Sequence, residues 1–418
     1  LEIEFQRTGI GELPSEWGIG TMKDIAEINP ESLSSNTPAN QIIEYIDIES
    51  IKEGKVQGTK LLEFSDAPSR ARRITRKNDV IVSTVRPYLK AFALIKESKK
   101  NLVCSTGFAV IRSKEQQSAE FIYHYTFSHT FLSQLLRKMV GSNYPAVNKS
   151  DIAEVLVPIP TLEEQQKIAE ILTTVDEQIA QTAQLIEKTL ELKKGLLQRL
   201  LSKGLDHKEF KDSEYEEIPI NWDLVPLESL CENITYGFTN PMPETNNGPY
   251  MITAKDIVNG KINYDTARKT DINKFNSELT PKSKPLLNDL LITKDGTLGR
   301  LAIVDREEIC INQSVATLRL KHDLIDARFI YYLLSSNKMQ QRILFDAGGS
   351  TIKHIYITKL AKMKVPIPQS IEEQREIVEI LSTVDVSIDY YNKNQRSLQV
   401  LKKGLMQQLF TGKIRVKV

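Results

Sequence analysis

Residues 69–77 read SRARRITRK and place Arg70, Arg72, Arg73, Arg76 and Lys77 within one short stretch. A few positions on, Arg86 and Lys90 flank the aromatic ring of Tyr88. Clusters of this kind neutralise phosphates, and a planar guanidinium can also read a guanine edge in the major groove. The competing reading is a solvated basic edge paired with neighbouring carboxylates. In the second half of the chain the corresponding place is Lys294-Asp-Gly-Thr297-Leu-Gly-Arg300, a loop of different chemistry. A further pair of loops ends in hydrogen-bonding side chains, Asn143 and Tyr144 in GSNYPAVNK, and Thr351, Lys353 and His354 in GGSTIKHIYITK. Ordinary turn chemistry would explain either loop equally well.

Catalytic spacings are missing. No G-x-x-x-x-G-K-[ST] loop occurs, and Gly18-Ile19-Gly20 lacks a third glycine in register. Asn29-Pro30-Glu31 and Asn240-Pro241-Met242 are not the [ND]-P-P-[YF] loop that grips a base for amino-methylation. His124 and His129 stand five apart, which is not a metal-ligand spacing, so both are expected to serve packing. These residues favour a binding or scaffolding protein over an enzyme.

Composition sets the outer bounds. The 418 residues carry a net charge of +1 and are 40% hydrophobic, so the chain is globular and any basic surface must be local. No apolar run is long enough for a membrane span, and the first residues, which begin at Leu1, lack a basic–apolar signal pattern. Three scattered cysteines read as reduced thiols of a cytoplasmic protein.

The elements that must position these loops occur twice. VPIP…EEQ…I opens at Val157 and again at Val365, and KKGLxQ closes each copy. Residues 162–201 match 371–410 without a gap, with 18 of 40 positions identical and none of those within 180–191. Pro14-x-x-Trp17 faces Pro219-x-x-Trp222, Asn78-Asp79 faces Asn288-Asp289, and Phe121-Ile-Tyr faces Phe329-Ile-Tyr. The chain is therefore expected to be two copies of one unit, each a mixed α/β body followed by a long helix. Segments 119–140 and 327–345 carry helical spacing beside the strands.

In the long helices Ile168, Leu172, Val175, Ile179, Ile186, Leu190, Leu197 and Leu201 recur mostly every three or four residues. Ile377, Leu381, Val384, Ile388, Leu398, Leu401, Leu405 and Leu409 do the same. Such a stripe cannot be buried by one helix, so an antiparallel coiled coil with pseudo-two-fold symmetry is expected. Gly195 and Gly404 are expected to mark close packing of backbones, a helix boundary being the alternative.

Divergence is uneven. Helix starts are alike, and Glu164, Gln165, Ile168 and Leu172, with Glu373, Gln374, Ile377 and Leu381, are candidate contacts for a partner bound twice. The loop tips differ, which suits two different targets. The diverged middle would be the seam between the helices.

With these motifs in order and in duplicate, the chain resembles the specificity subunits of type I restriction-modification systems over essentially its full length. The motifs are the Pro-x-x-Trp openings, Asn288-Asp289-Leu-Leu with Gly-Thr-x-Gly at 296–299, VPIP…EEQ and KKGLxQ. The first copy departs from Gly-Thr-x-Gly, having Arg86-Pro87-Tyr88-Leu89. The resemblance implies target-recognition domains at 1–161 and 206–370, conserved-type helices at 162–205 and 371–412, and a tail at 413–418. It implies binding of double-stranded DNA at a bipartite, asymmetric site, two methyltransferase subunits and further restriction subunits. S-adenosylmethionine, ATP and Mg would belong to those subunits, and no cofactor to this chain. A self-sufficient DNA methyltransferase is disfavoured by the missing motifs; a coiled-coil tether without DNA specificity remains the other reading. Replacing Arg72, Arg73 and Arg76 with Ala is expected to weaken DNA binding and to spare assembly.

Overall fold

A computed structural model describes residues 4–141, 143–214, 217–345, 347 and 353–417. The chain forms two compact units. Unit 1 comprises residues 1–183 and 393–418, and unit 2 comprises 184–392. Each long helix, Leu162–Lys203 and Ile371–Phe410, thus begins in one unit and ends in the other.

Within unit 1, one antiparallel sheet orders Phe92–Leu94, Val80–Ser83, Phe108–Ser113 and Ala26–Ile28. Unit 2 repeats it with Leu301–Ile303, Leu290–Thr293, Val315–Leu320 and Cys231–Tyr236. The apolar runs of the sequence become the inner strands, and Val80–Ser83 and Leu290–Thr293 are buried throughout. The Asn-Asp motif has a local cause. Asn78 and Asn288 take left-handed turns, at φ 71° and 68°. The buried Asp79 then accepts two 2.8 Å hydrogen bonds from the Arg112 guanidinium, and Asp289 pairs with Arg319 at 2.9 Å.

A second sheet in unit 1 orders Lys60–Glu63, Ile42–Ile46, Leu102–Ser105 and Ala71–Ile74. Its unit 2 counterpart has three strands among the described residues, Arg268–Thr270, Glu244–Ile252 and Ile309–Ile311. Segments 119–140 and 327–345 are not single helices. Each is a pair, Ala119–Thr126 with His129–Lys138 and Ala327–Ser335 with Asn337–Phe345. Ser128 caps the second helix of unit 1 by accepting from the Phe131 N–H, which breaks the run where the sequence periodicity alone shows none.

Extended proline segments lead into the long helices, as their fixed φ requires. Leu156–Ile159 pairs antiparallel with Gly18–Thr21, and Lys364–Pro368 with Trp222–Pro226. Thr161 and Glu164 then form a reciprocal cap on the first helix. The Glu164 carboxylate also accepts from Trp17 Nε1 at 3.1 Å and from Arg415 Nη2 at 2.6 Å. In unit 2 Glu373 accepts from Trp222 Nε1 at 3.2 Å, from the Leu205 N–H at 3.1 Å, and contacts His207 Nε2 at 2.8 Å. The repeated Pro-x-x-Trp and EEQ motifs are therefore contact partners.

Inside each unit the two helix segments run antiparallel. In unit 1 Glu164 meets Arg415 and Asp176 meets Lys402, so one number falls as the other rises. In unit 2 Lys193 meets Asp385 and Leu205 meets Glu373. Phe410 packs edge-on against Phe121 and Tyr125 in the core of unit 1.

Two expectations about the helices need correction. Gly195 and Gly404 lie inside continuous helices, and a Cβ added at either would meet nothing within 4 Å. They mark neither a boundary nor a close approach within the chain. Leu190 and Leu401, placed on the buried stripe, are 49% and 50% exposed. The stripe is buried best at its ends, where Ile168, Leu172, Leu201, Ile377, Leu381 and Leu409 enter the cores of the bodies.

Replacing Glu164 with Ala should lower stability by about 3 kcal/mol, since Arg415 and the buried indole N–H lose their acceptor. Urea unfolding followed by tryptophan fluorescence measures it. A loss below about 1 kcal/mol would mean that water replaces the carboxylate at no cost.

Candidate nucleic-acid interface and helix surface

In unit 1 backbone hydrogen bonds join the two loops singled out by their side chains. Arg86 N–H donates to the Pro145 carbonyl at 2.8 Å and Val147 N–H to Thr84 at 2.9 Å. At their junction the Arg86 guanidinium lies 4.6 Å above the Tyr144 ring, and its Nη2 donates to the Asn143 carbonyl at 2.9 Å. Tyr88, Leu89, Val140 and Tyr144 stand exposed around it, between 44% and 75%, and Lys90 is exposed beside them. This is a protruding tip that combines cations with apolar side chains.

Unit 2 joins the equivalent loops in the same way, through Ile355 N–H to the Lys294 carbonyl at 2.9 Å and a bridge between Asp295 and His354. Its chemistry differs. Lys294 Nζ is paired with Asp295 at 2.6 Å, and Arg300 donates to the Ile257 carbonyl at 3.2 Å. Thr297 and Lys353 are exposed, and the His354 ring sits 4.2 Å from Tyr356. Thr351 lies outside the described residues.

The cluster at 69–77 fares differently from its expectation. Ala71–Ile74 is an edge strand, so alternate arginines face opposite ways. Arg72 stacks over Phe64 at 4.5 Å, Arg73 donates to Ser32 Oγ at 3.0 Å, and Arg76 pairs with Glu31 at 2.6 Å. Arg70 and Lys77 are exposed, and so is Arg76, whose side chain is 63% exposed despite its ion pair. Three of the five cations thus have partners within the chain, and the charges also protect the edge strand from pairing with another chain.

Unit 2 carries a surface that sequence reasoning missed. Tyr250 and Tyr264 meet edge to face, with Arg306 over both rings at 5.3 and 4.2 Å and Lys269 over Tyr250 at 4.7 Å. Tyr250, Tyr264 and Lys269 line an open cavity of about 400 Å³ with Glu244, Arg268 and Asp265. These residues are spread over much of the body, so no local spacing could have revealed them.

The helix-start residues are also corrected. Glu164, Gln165, Ile168, Leu172, Gln374, Ile377 and Leu381 are buried, and the Glu373 side chain is 14% exposed. Gln165 caps the Ala119 helix region by accepting from the Ser118 N–H at 3.0 Å, and Gln374 accepts from Asp326 N–H at 3.0 Å. Their identity between copies serves internal packing, so they offer no free docking face. Besides Glu163 and Glu372, several other positions are both identical and exposed. Unit 1 shows Glu170, Thr174, Leu401, Lys403, Gly404 and Gln407. Unit 2 shows the matching Glu379, Thr383, Leu192, Lys194, Gly195 and Gln198.

Nothing in the described residues gathers three or more His, Cys, Asp or Glu side chains around a metal position. His124 is buried, contacts Thr173 Oγ1 at 2.9 Å and is pushed down to about 3 by burial, as a packed neutral histidine would be. All three cysteines are buried and free. No helix among the described residues is long and apolar enough to cross a membrane.

The family described as the type I restriction modification DNA specificity domain matches residues 14–191 and again 219–400. The chain belongs to this family. The type I restriction enzyme MjaVIII specificity subunit of Methanocaldococcus jannaschii is 30% identical over 327 residues, covering 76% of each chain. The crystal structure of the HsdS subunit from Thermoanaerobacter tengcongensis matches with a TM-score of 0.52 at 25% identity, over 98% of this chain and 100% of that one. A chain from a structure on complex assembly and conformational transition of the type I R-M system reaches 0.62 at 25% identity, over 96% and 99%.

Burial acts to raise the Glu31 carboxyl, but hydrogen bonds from Arg112 and Arg76 outweigh it and hold Glu31 below its ordinary 4.5. A depressed carboxylate contributes stability that is complete above pH 4.5 and lost as pH falls through its lowered value. Glu31→Gln should therefore flatten the acid side of a plot of Tm against pH. An unchanged acid slope would show that the two arginines do not depend on this carboxylate.

Proposed function

We propose that this chain is the non-catalytic specificity subunit of a type I restriction-modification complex, reading a bipartite, asymmetric DNA site and holding two methyltransferase subunits. The observation that carries the proposal is an asymmetry of likeness. The two units present the same exposed helix positions and different loop tips. Identical surfaces suit one partner bound twice, and unlike tips suit two unlike half-sites.

In this reading the target-recognition domains are 1–161 and 206–370, and 162–205 and 371–412 separate them. Arg86, Tyr88, Lys90, Asn143 and Tyr144 face one half-site; Thr297, Arg300, Lys353 and His354 face the other. Methylation and ATP-dependent cleavage belong to partner subunits, which bind S-adenosylmethionine, ATP and Mg, and restriction subunits join the same complex. The complex works in the cytoplasm, which suits three free, buried thiols.

Glycine inside a helix costs about 1 kcal/mol against alanine. At Gly195 and Gly404 nothing within the chain offsets that cost, since an added Cβ would meet open space. A partner element lying close to the backbone would supply the reason, and it would do so once in each unit. Leu192 and Leu401, 55% and 50% exposed, would be covered by the same contact.

Two measurements test the function. Co-expression with the cognate methyltransferase and mapping of methylated adenines should return one motif of two unlike halves with a fixed gap. Methylation without sequence preference would favour the plain tether instead. Separately, Gly195→Arg and Gly404→Arg should each remove one methyltransferase copy, and the double variant both, as read by light scattering. Melting should be unchanged or slightly higher, because the helix gains propensity. Full assembly of the double variant would place the docking surface elsewhere.

A further inference from the structure

The tip loops of the two units differ at two backbone positions that demand a left-handed conformation. In unit 2 glycine fills both, Gly296 at φ 79° and Gly299 at φ 77°. In unit 1 the residues at the equivalent turns are Arg86 at φ 47° and Lys90 at φ 54°. They bracket the short Pro87–Leu89 turn, with Arg86 immediately before it and Lys90 immediately after. An L-residue with a long side chain is disfavoured there, whereas glycine is not. Unit 1 thus holds cations at both of the places where its sister relieves the strain. Strain of this kind persists where the side chain is needed.

The Arg86 side chain is also prepared in a way that a phosphate contact does not require. Tyr144 supports the flat of its guanidinium, and the Asn143 carbonyl takes one of its N–H groups. Its Nε is buried without a partner. Neutralising a phosphate needs charge alone and tolerates a mobile lysine, whereas reading O6 and N7 of guanine needs a planar fork held in orientation. Tyr144 lies against the fork, and the same loops expose Tyr88, Leu89 and Val140, apolar groups that suit base edges and methyl groups better than a phosphate backbone. In the tip of unit 2 Lys294 lies over the Tyr236 ring but is paired with Asp295 at 2.6 Å.

We propose that Arg86, strained at the tip of unit 1 and braced by Tyr144 and Asn143, is the specificity-determining residue that reads a guanine in the half-site of that unit, with Lys90 on the adjoining phosphate. This inference rests on the DNA-reading function proposed above, and it assigns the base.

The test uses the chain assembled with its cognate methyltransferase. Arg86→Ala should relax one guanine position in one half of the methylated motif, by about 10- to 100-fold in discrimination, and leave the other half intact. Arg86→Lys should relax the same position while keeping the salt dependence of binding, because it keeps the charge and loses the fork. The double variant R86G/K90G, which copies the glycines of unit 2, should melt with the parent, showing that lost discrimination is not lost folding. An unchanged motif with weaker methylation everywhere and a shallower salt slope would make Arg86 a phosphate contact and overturn the assignment. A parent complex that methylates without any bipartite motif would overturn the underlying function as well, and is distinguished by being seen before any substitution is made.

Discussion

The carboxylate at the third position of each long helix is the constraint on which the rest depends. Glu164 caps its own helix, accepts the Trp17 indole N–H and takes the Arg415 guanidinium. Glu373 accepts from the Trp222 indole and the Leu205 N–H and contacts His207. One buried charge thereby ties the start of a body, the start of its long helix and the residues that follow the other helix. A buried carboxylate is tolerable only when several donors satisfy it. That requirement explains why the Trp and Glu recur together in both copies.

This clamp joins residues far apart in sequence, and unit 1 is built from two separate stretches. Unit 1 takes its body and the first part of one helix from consecutive residues and the last part of the other helix from a distant stretch. Unit 2 runs continuously from 184 to 392, its body lying between the end of one helix and the start of the other. Apolar residues at the helix ends enter the cores of the bodies, so the stripe is strongest where the body lies beside it. The sheets then carry the loop tips at one pair of strand ends, with the same backbone bonds in both units. The scaffold is common, and the chemistry of the tips is free to differ.

How far this was legible from residues can be argued element by element. The long helices and the extended proline segments that lead into them follow from period and φ restriction, whereas the joining of the tip loops to one another does not. The break at Phe127–Ser128 was not legible, because a serine cap between two apolar stretches does not disturb the helical period. Nor was the fate of the basic run at 69–77, whose partners Glu31 and Ser32 are remote in sequence. The Tyr250, Tyr264 and Arg306 surface left no local trace at all.

The chain by itself determined the duplication, the two α/β bodies with their long helices, and the places where the copies agree or differ. Only the tertiary structure decided why they agree. Identity at Glu164 and Gln165 comes from buried contacts, while identity at Gly195 and Leu192 falls on residues that touch little of this chain. Both kinds look alike in an alignment of the halves, because a residue is kept in place equally by a neighbour inside the fold and by one outside it. What separates them is which side chains are removed from water, and that is settled by long-range packing that no local spacing encodes.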